Sequence, residues 1–262
     1  MKNFSLGLIV NTYRNPRALD KVLAAIHGGT ELPHEVILAE DDEDAATAAV
    51  AADWRDRLGC PLVHCSQADK GYRRSRILNL AIARATSDYL VFIDGDCIPG
   101  KRFVADHKGL AREGCFVQGR RTFLDEKSVP AFLDGRASAR KLFWTGKISG
   151  RFKAIRLPVP KIKRNRELHG VLGCNLGLWR EDLLAVNGYD ESFEGWGAED
   201  SDLAARLYHL GRDRLLVHGR AVLLHLNHPF LPRDDYAANK ARLQQTLDSG
   251  RIRCEHGVDA HR

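Results

Sequence analysis

The sequence predicts an α/β fold in which a mostly parallel central sheet carries helices on both faces. Three observations predict it. Strand-like and helix-like segments alternate through the first half of the chain, an order that gives parallel strands joined by crossover helices. Carboxylates gather directly after the strand-like segments, at the sheet edge where such folds bind ligands. With 44% hydrophobic and 28% charged residues in 262, the composition is that of a folded chain with a sizeable core.

Leu6 to Val10 reads as a first buried strand, closed by the polar turn Asn11-Thr12-Tyr13-Arg14-Asn15-Pro16. Arg17 to His27 has helical spacing at Leu19, Val22, Leu23 and Ile26 and stops at Gly28-Gly29. Glu35 to Ala39 is a second strand, followed by the acidic run Glu40 to Asp44. An alanine-rich helix over 45–58, a short strand over 62–65, a helix over 73–85 and an apolar strand over 89–93 complete the alternation. Beyond it, Val117 to Phe123 reads as one strand, Gly170 to Trp179 as a glycine-rich strand region and 222–226 as a late strand. Helices are expected over 180–186, 201–210 and 235–248. No repeat or low-complexity linker divides the chain, so one domain is expected over 1–262. Residues 1–125 would form a nucleotide-binding half and 126–262 an acceptor half.

No apolar stretch is long enough to span a bilayer, and the N-terminal apolar run lacks a cleavage site, so it reads as a strand and not as a leader. The six cysteines form no C-x-x-C pair, and several lie in apolar surroundings; reduced thiols and a cytoplasmic location are expected. The net charge of +6 is unevenly placed. Arg136 to Arg166 holds eleven Lys or Arg and no Asp or Glu, and subtracting eleven from +6 leaves the rest of the chain at −5. A basic segment of this kind marks a local partner surface.

Five groups of residues can carry chemistry. Asp94-Gly95-Asp96 follows an apolar strand; its carboxylates are the hard ligands that Mg²⁺ or Mn²⁺ prefers, although Asp-Gly also closes ordinary turns. Gly195-Trp196-Gly197-Ala198-Glu199-Asp200 opens a helix. One acid suffices to cap it, which leaves a carboxylate as a general base and an indole to stack on a sugar. Glu40-Asp41-Asp42 stands where a carboxylate meets a base or ribose in nucleotide-binding sheets, or forms a solvated loop. Gly71 to Arg76 opens a basic helix running to Asn79, suited to a diphosphate or simply to solvent. His225-Leu226-Asn227-His228 closes the last strand, where a histidine can ligate a metal or merely hydrogen-bond at the surface.

Taken in order, these groups resemble glycosyltransferase family 2 enzymes of the GT-A fold. The segment from Asn175 to Leu207, with Gly188-Tyr189-Asp190 and the Gly-Trp-Gly-Ala-Glu-Asp run, resembles the acceptor half of β1,4-galactosyltransferases and bacterial chondroitin polymerases. The resemblance covers about residues 4 to 228. It implies transfer of a sugar from a nucleotide-diphosphate donor, most simply a UDP-sugar, to a hydroxyl of a glycan or lipid-linked glycan, with inversion. It implies donor contacts at Thr12, Arg14, Arg76 and Asn79, Glu40 or Asp41 at the base, and Asp94 at the ribose. Asp96 and His225 would ligate the metal, Mn²⁺ or Mg²⁺. Asp200 would be the base, Glu199 would orient the acceptor, and Trp196 and Gly197 would wall its pocket. Bacterial surface polysaccharide or lipopolysaccharide assembly is the implied setting.

Two features depart from the family pattern. The second strand ends in Glu-Asp-Asp-Glu instead of Asp-Asp-Gly-Ser, and the basic segment 136–166 replaces a short connection. That segment either docks the chain on an anionic membrane, as a peripheral protein of the inner face, or on a phosphorylated lipid-linked glycan, or it forms a solvated, partly mobile loop over the active site. Two other classes compete. A sugar-nucleotide nucleotidyltransferase shares the plan but needs a glycine-rich loop after the first strand, and 11–16 has no glycine. A non-catalytic adaptor would use the basic segment on membrane or nucleic acid and leave Asp94, Asp96, Glu199 and Asp200 unexplained; no nucleic-acid partner is expected.

Overall fold

The computed structural model describes residues 3–228 and 234–262. The first half alternates as expected: β1 (Leu6–Thr12), α1 (Pro16–His27), β2 (Glu35–Glu40), α2 (Ala45–Arg55), β3 (Leu62–Ser66), α3 (Arg74–Arg84) and β4 (Tyr89–Asp94). Side-chain caps set two of the helix starts. Asn15 accepts from the Ala18 amide ahead of Pro16, and Asp44 accepts from the Thr47 amide at 2.9 Å. The second half supplies β5 (Cys97–Pro99), α4 (Phe103–Leu110), β6 (Cys115–Gln118), β7 (Arg120–Leu124), α5 (Val129–Leu133), α6 (Ala139–Trp144), β8 (Ile148–Ser149) and β9 (Lys161–Asn165). It continues through β10 (Leu176–Trp179), α7 (Arg180–Ala185), α8 (Glu199–His209), β11 (Asp213–His218), β12 (Val222–Leu226) and α9 (Tyr236–Ser249).

The large sheet runs β3-β2-β1-β4-β10-β6-β11-β9. β3, β2, β1 and β4 are parallel, β10 is antiparallel to both its neighbours, β11 is parallel to β6, and β9 closes the edge antiparallel. Because β10 sits between β4 and β6, the sheet crosses the expected boundary near residue 125. Strand periodicity of two sorts the core into two layers. Leu6, Leu8 and Val10 of β1 pack with Leu19, Leu23 and Trp54 of α1 and α2 on one face. Ile9 of the same strand packs with Ile77 and Ile82 of α3 and with Leu183 and Leu203 of α7 and α8 on the other.

The expected single strand over 117–123 is two strands in two sheets. The chain breaks at Gly119, where a Cβ would collide with the Asn175 side chain and the Ala221 carbonyl, and β7 leaves for a small sheet ordered β5-β12-β7-β8. That small sheet positions chemistry. β12 runs antiparallel to β5 with His225 opposite Cys97, and the Leu226 amide donates to the Asp96 carbonyl at 3.0 Å. The basic segment is not a loop over the active site. It folds as α6, β8 and the edge strand β9, and none of its residues lines the main cleft.

Candidate active site

The parallel strands end at a cleft of about 750 Å³. Its floor comes from β1 and β4, which pair Asn11 with Asp94 and so bring Thr12 beside the Asp94-Gly95-Asp96 turn. Gly95 is required by that approach: a Cβ there would stand 2.8 Å from the Thr12 hydroxyl oxygen. The far wall is the Trp196–Ser201 segment, with Glu199 and Asp200 in the first turn of α8. Ala198 precedes them at φ +73°, an unusual backbone for a non-glycine, and turns both carboxylates toward the cleft.

At the centre is Arg74, buried at the start of α3. Its Nη1 lies 2.9 Å from Asp200 Oδ1 and 3.3 Å from Glu199 Oε1, and its Nη2 lies 3.6 Å from Asp94 Oδ1. The Gly173 amide donates to the second Asp200 oxygen at 2.8 Å. One guanidinium therefore serves three carboxylates. Burial would drive the proton off Arg74, but Asp200 and Asp94 more than offset it and hold the group charged. Burial, then Asp200, push the Glu199 carboxyl up to about 7. Burial likewise raises Asp94 against the pull of Arg74.

A second cluster lies across the turn. Asp96 Oδ2 is 3.3 Å from His228 Nε2 and 3.7 Å from His225 Nε2, and one ligand atom from each of the three residues falls within 4.8 Å of the others. Asp96 Oδ1 and His225 Nδ1 are buried without a protein partner among the described residues. Burial, reinforced by Arg121 and His228, lowers His225 to about 3 and keeps its imidazole neutral, the form that ligates. One carboxylate with two imidazoles fits a divalent transition ion such as Mn²⁺ better than Mg²⁺, which prefers oxygen. Asp94, Cys97 and Cys174 also approach one another, but thiols do not suit either ion, and Arg121 donates to Cys174 Sγ at 3.1 Å.

The expected site residues divide. Thr12, Asp41, Asp94, Asp96, Trp196, Gly197, Glu199 and Asp200 all line the cleft, and His225 stands behind His228 at its rim. Glu40 does not face it: its fully buried carboxylate holds His64 Nε2 at 2.6 Å and the Asp44 amide, leaving Asp41 as the residue of that pair toward the ligand. Arg14 pairs with Asp42 and Asp69 outside the cleft lining. Arg76 reaches Gln67, which in turn donates to Asp41, so its effect on the cleft is indirect. Asn79 is a structural clamp and not a donor contact. It donates to the Tyr189 carbonyl and accepts from the Tyr189 amide, both at 2.8 Å. The helix turn separating it from Arg74 points it into the core between α3 and the 187–191 loop. Arg74 itself is committed to carboxylates and is not a free cation for a diphosphate. The geometry adds His228, which is not among the expected ligands; its spacing three residues after His225 is the signal in the sequence.

The sequence pattern of glycosyl transferase family 2 matches residues 8–183, and that of the N-terminal domain of galactosyltransferase matches residues 154–228. Chondroitin synthase of Pasteurella multocida is 27% identical over 233 residues, which cover 80% of this chain and 23% of that protein. The chain thus spans about a quarter of that relative's length. Among solved structures, S. aureus TarS 1-349 in complex with UDP superposes with a TM-score of 0.66 at 12% identity, over 98% of this chain and 68% of that one. GalNAc-T7 with UDP, GalNAc and Mn²⁺ gives 0.69 at 12% identity, over 94% and 48%. At such identities these likenesses establish the GT-A fold.

Proposed function

The chain belongs to glycosyltransferase family 2, and we propose that it moves a sugar from a nucleoside-diphosphate donor, most simply a UDP-sugar, onto a hydroxyl of a glycan or lipid-linked glycan, with inversion. The observation that carries this reading is one cleft holding both a carboxylate–imidazole cluster and the Glu199–Asp200 pair. Asp96, His225 and His228 hold the divalent ion, which when bound offsets negative charge on the leaving diphosphate. Asp41 and Thr12 meet the nucleoside, and Asp94 lies on the ribose side. Asp200 takes the proton of the attacking hydroxyl, Glu199 orients that hydroxyl, and Trp196 stacks on the acceptor ring. Arg74 holds Asp94, Glu199 and Asp200 in register and is a positioning residue. The likeness to structures containing UDP or Mn²⁺ supports the choice of nucleotide and ion. Similarity to a polysaccharide synthase supports bacterial surface glycan assembly as the setting.

The test is a thermal-shift series with UDP, GDP, CDP and TDP, each with and without Mn²⁺. Stabilisation by one diphosphate only with metal, lost in Asp96→Ala, is the expected result. No response to any pair would remove the donor reading.

The basic segment supports peripheral attachment to an anionic membrane on the cytoplasmic side. Arg140, Lys141, Arg151, Lys153 and Lys161 have no carboxylate partner among the described residues. Between them Trp144, Phe152 and Val159 are each more than 70% exposed. Four residues of the segment touch in a row: the Arg151 guanidinium lies over the Phe143 and Phe152 rings, and Phe143 packs edge-on against Trp144. Exposed large apolar side chains among free cations suit the lipid interface better than a nucleic acid. No helix among the described residues is long and apolar enough to cross a membrane. Flotation with vesicles containing phosphatidylglycerol, but not with phosphatidylcholine alone, is expected. Flotation unchanged in Lys153→Glu/Lys161→Glu would sink the idea.

A further inference from the structure

Helix α9 lies beyond both matched family patterns, which end at residues 183 and 228, yet it forms part of the cleft. Tyr236, Lys240 and Leu243 line the cleft at helical spacings of four and three, so one stripe of α9 faces it. The helix is fixed by its neighbouring face. Asn239 donates to the Glu194 carbonyl at 2.8 Å, and the buried Thr246 hydroxyl donates to Asp202 at 2.6 Å. Its first turn is built into the Gly-Trp-Gly run. A Cβ on Gly195 would run into the Asp235 carboxylate, and one on Gly197, whose φ is +103°, would stand 2.9 Å from the Tyr236 ring. That close approach sets Tyr236 beside Trp196, with ring centroids 5.6 Å apart and planes at 43°. The two rings and Leu243 make an apolar, ring-sized wall.

Lys240 stands within that wall, one turn after Tyr236. Arg74 is taken up by three carboxylates, and Arg121 is turned to Cys174 and the Phe123 ring. Lys240, in contrast, has no carboxylate partner among the described residues, even with Asp234 and Asp235 at the start of its own helix. An ammonium beside this wall of two rings, in the same cleft, is placed for an anionic substituent on the acceptor.

We infer that α9 is the acceptor-reading element and that Lys240 selects an acceptor glycoside bearing an anionic group, a carboxylate or a phosphate, next to the ring held by Trp196 and Tyr236. The inference rests on the transferase reading for which ligand is the acceptor, but its test needs no turnover. p-Nitrophenyl glucoside, the matching glucuronide and the glucoside 6-phosphate are titrated calorimetrically into the full chain, with Mn²⁺ and UDP titrated separately. One or both anionic glycosides should bind about tenfold or more tightly than the neutral one, the gain of a charge-assisted contact. Which of the two gains affinity identifies the anion as carboxylate or phosphate. In Lys240→Ala that preference should vanish with the UDP titration unchanged, and Lys240→Arg should restore most of it. Equal binding of neutral and anionic glycosides would overturn the inference. So would weakened UDP binding in Lys240→Ala with glycoside selectivity intact, which would place Lys240 at the donor diphosphate. Absence of metal-dependent UDP binding in the unaltered chain would instead count against the donor reading, and the glycoside preference would still be read on its own.

Discussion

Helix α8 carries two arginine–carboxylate clusters of different balance. At its first turn, Glu199 and Asp200 share Arg74 with Asp94, three carboxylates on one cation. Just further along, Asp202 meets Arg206 at 2.8 Å and Arg251 at 3.6 Å and accepts from the Thr246 hydroxyl, while Arg251 also pairs with Asp190 at 2.8 Å, two carboxylates with two cations. Arg206 also donates to the Val186 and Gly188 carbonyls, and both it and Asp202 are fully buried. The second cluster leaves no carboxylate wanting a partner, and it ties α8 to α9 and to the 186–190 loop. The first leaves excess negative charge facing a cleft, which only a ligand, an ion or a proton can relieve. A buried ion pair marks structure where its charges match and a site where they do not.

Substitutions test this contrast from both sides. Asp200→Asn should lower transfer by about two to four orders of magnitude, the usual worth of a general base. Its stability should be equal or higher, because the change relieves crowded charge; denaturant unfolding alongside a UDP-release assay checks both. Asp202→Ala should act in reverse. It strands Arg206 in the core at a cost of about 3–5 kcal/mol in unfolding free energy, while the protein that remains folded keeps UDP binding. Comparable stability loss in the two variants would erase the distinction.

The pH dependence of stability is a gentler probe. The Glu199 carboxyl is raised from 4.5 to about 7 by burial, so its contribution is fully present below pH 4.5 and is lost as pH rises through 7. Glu199→Gln stays neutral throughout, so the metal-free variant should gain stability relative to the unaltered chain between pH 5 and pH 8. A constant difference across that range would place the carboxyl in a more solvated setting than the structure gives it. The smallest effect is at the residue just before α8. Ala198→Gly relaxes a backbone at φ +73° and should change stability by less than about 1 kcal/mol in either direction.

Much of the donor side was legible because it is local. β1, β2 and β4 are apolar runs ended by polar turns, and their register places Thr12, Asp41 and Asp94 at one edge. What escaped depends on distant partners. Arg74 and Asn79 lie on the same basic helix, and only the fold distinguishes a guanidinium sunk among carboxylates from an amide clamped on the 189 backbone. Glu40 and Asp41 are adjacent, so strand alternation must send one to His64 and the other to the cleft; the acidic run conceals which. β9 was hidden in a charge run because it is an exposed edge strand, and edges favour lysine and arginine over an apolar pattern. The break at Gly119 follows from Asn175 and Ala221, residues far along the chain.

Arg74 also limits how this sequence can vary. Its three acidic partners stand 20, 125 and 126 positions away, on a strand end and on another helix. Any lineage that neutralises the arginine leaves three carboxylates at the cleft without this counter-ion, and any that removes one acid changes the pull on the other two. These four positions should therefore drift together or not at all, while exposed positions on the same helices vary independently. An alignment of relatives would carry the shape of this cleft as a pattern of joint substitution.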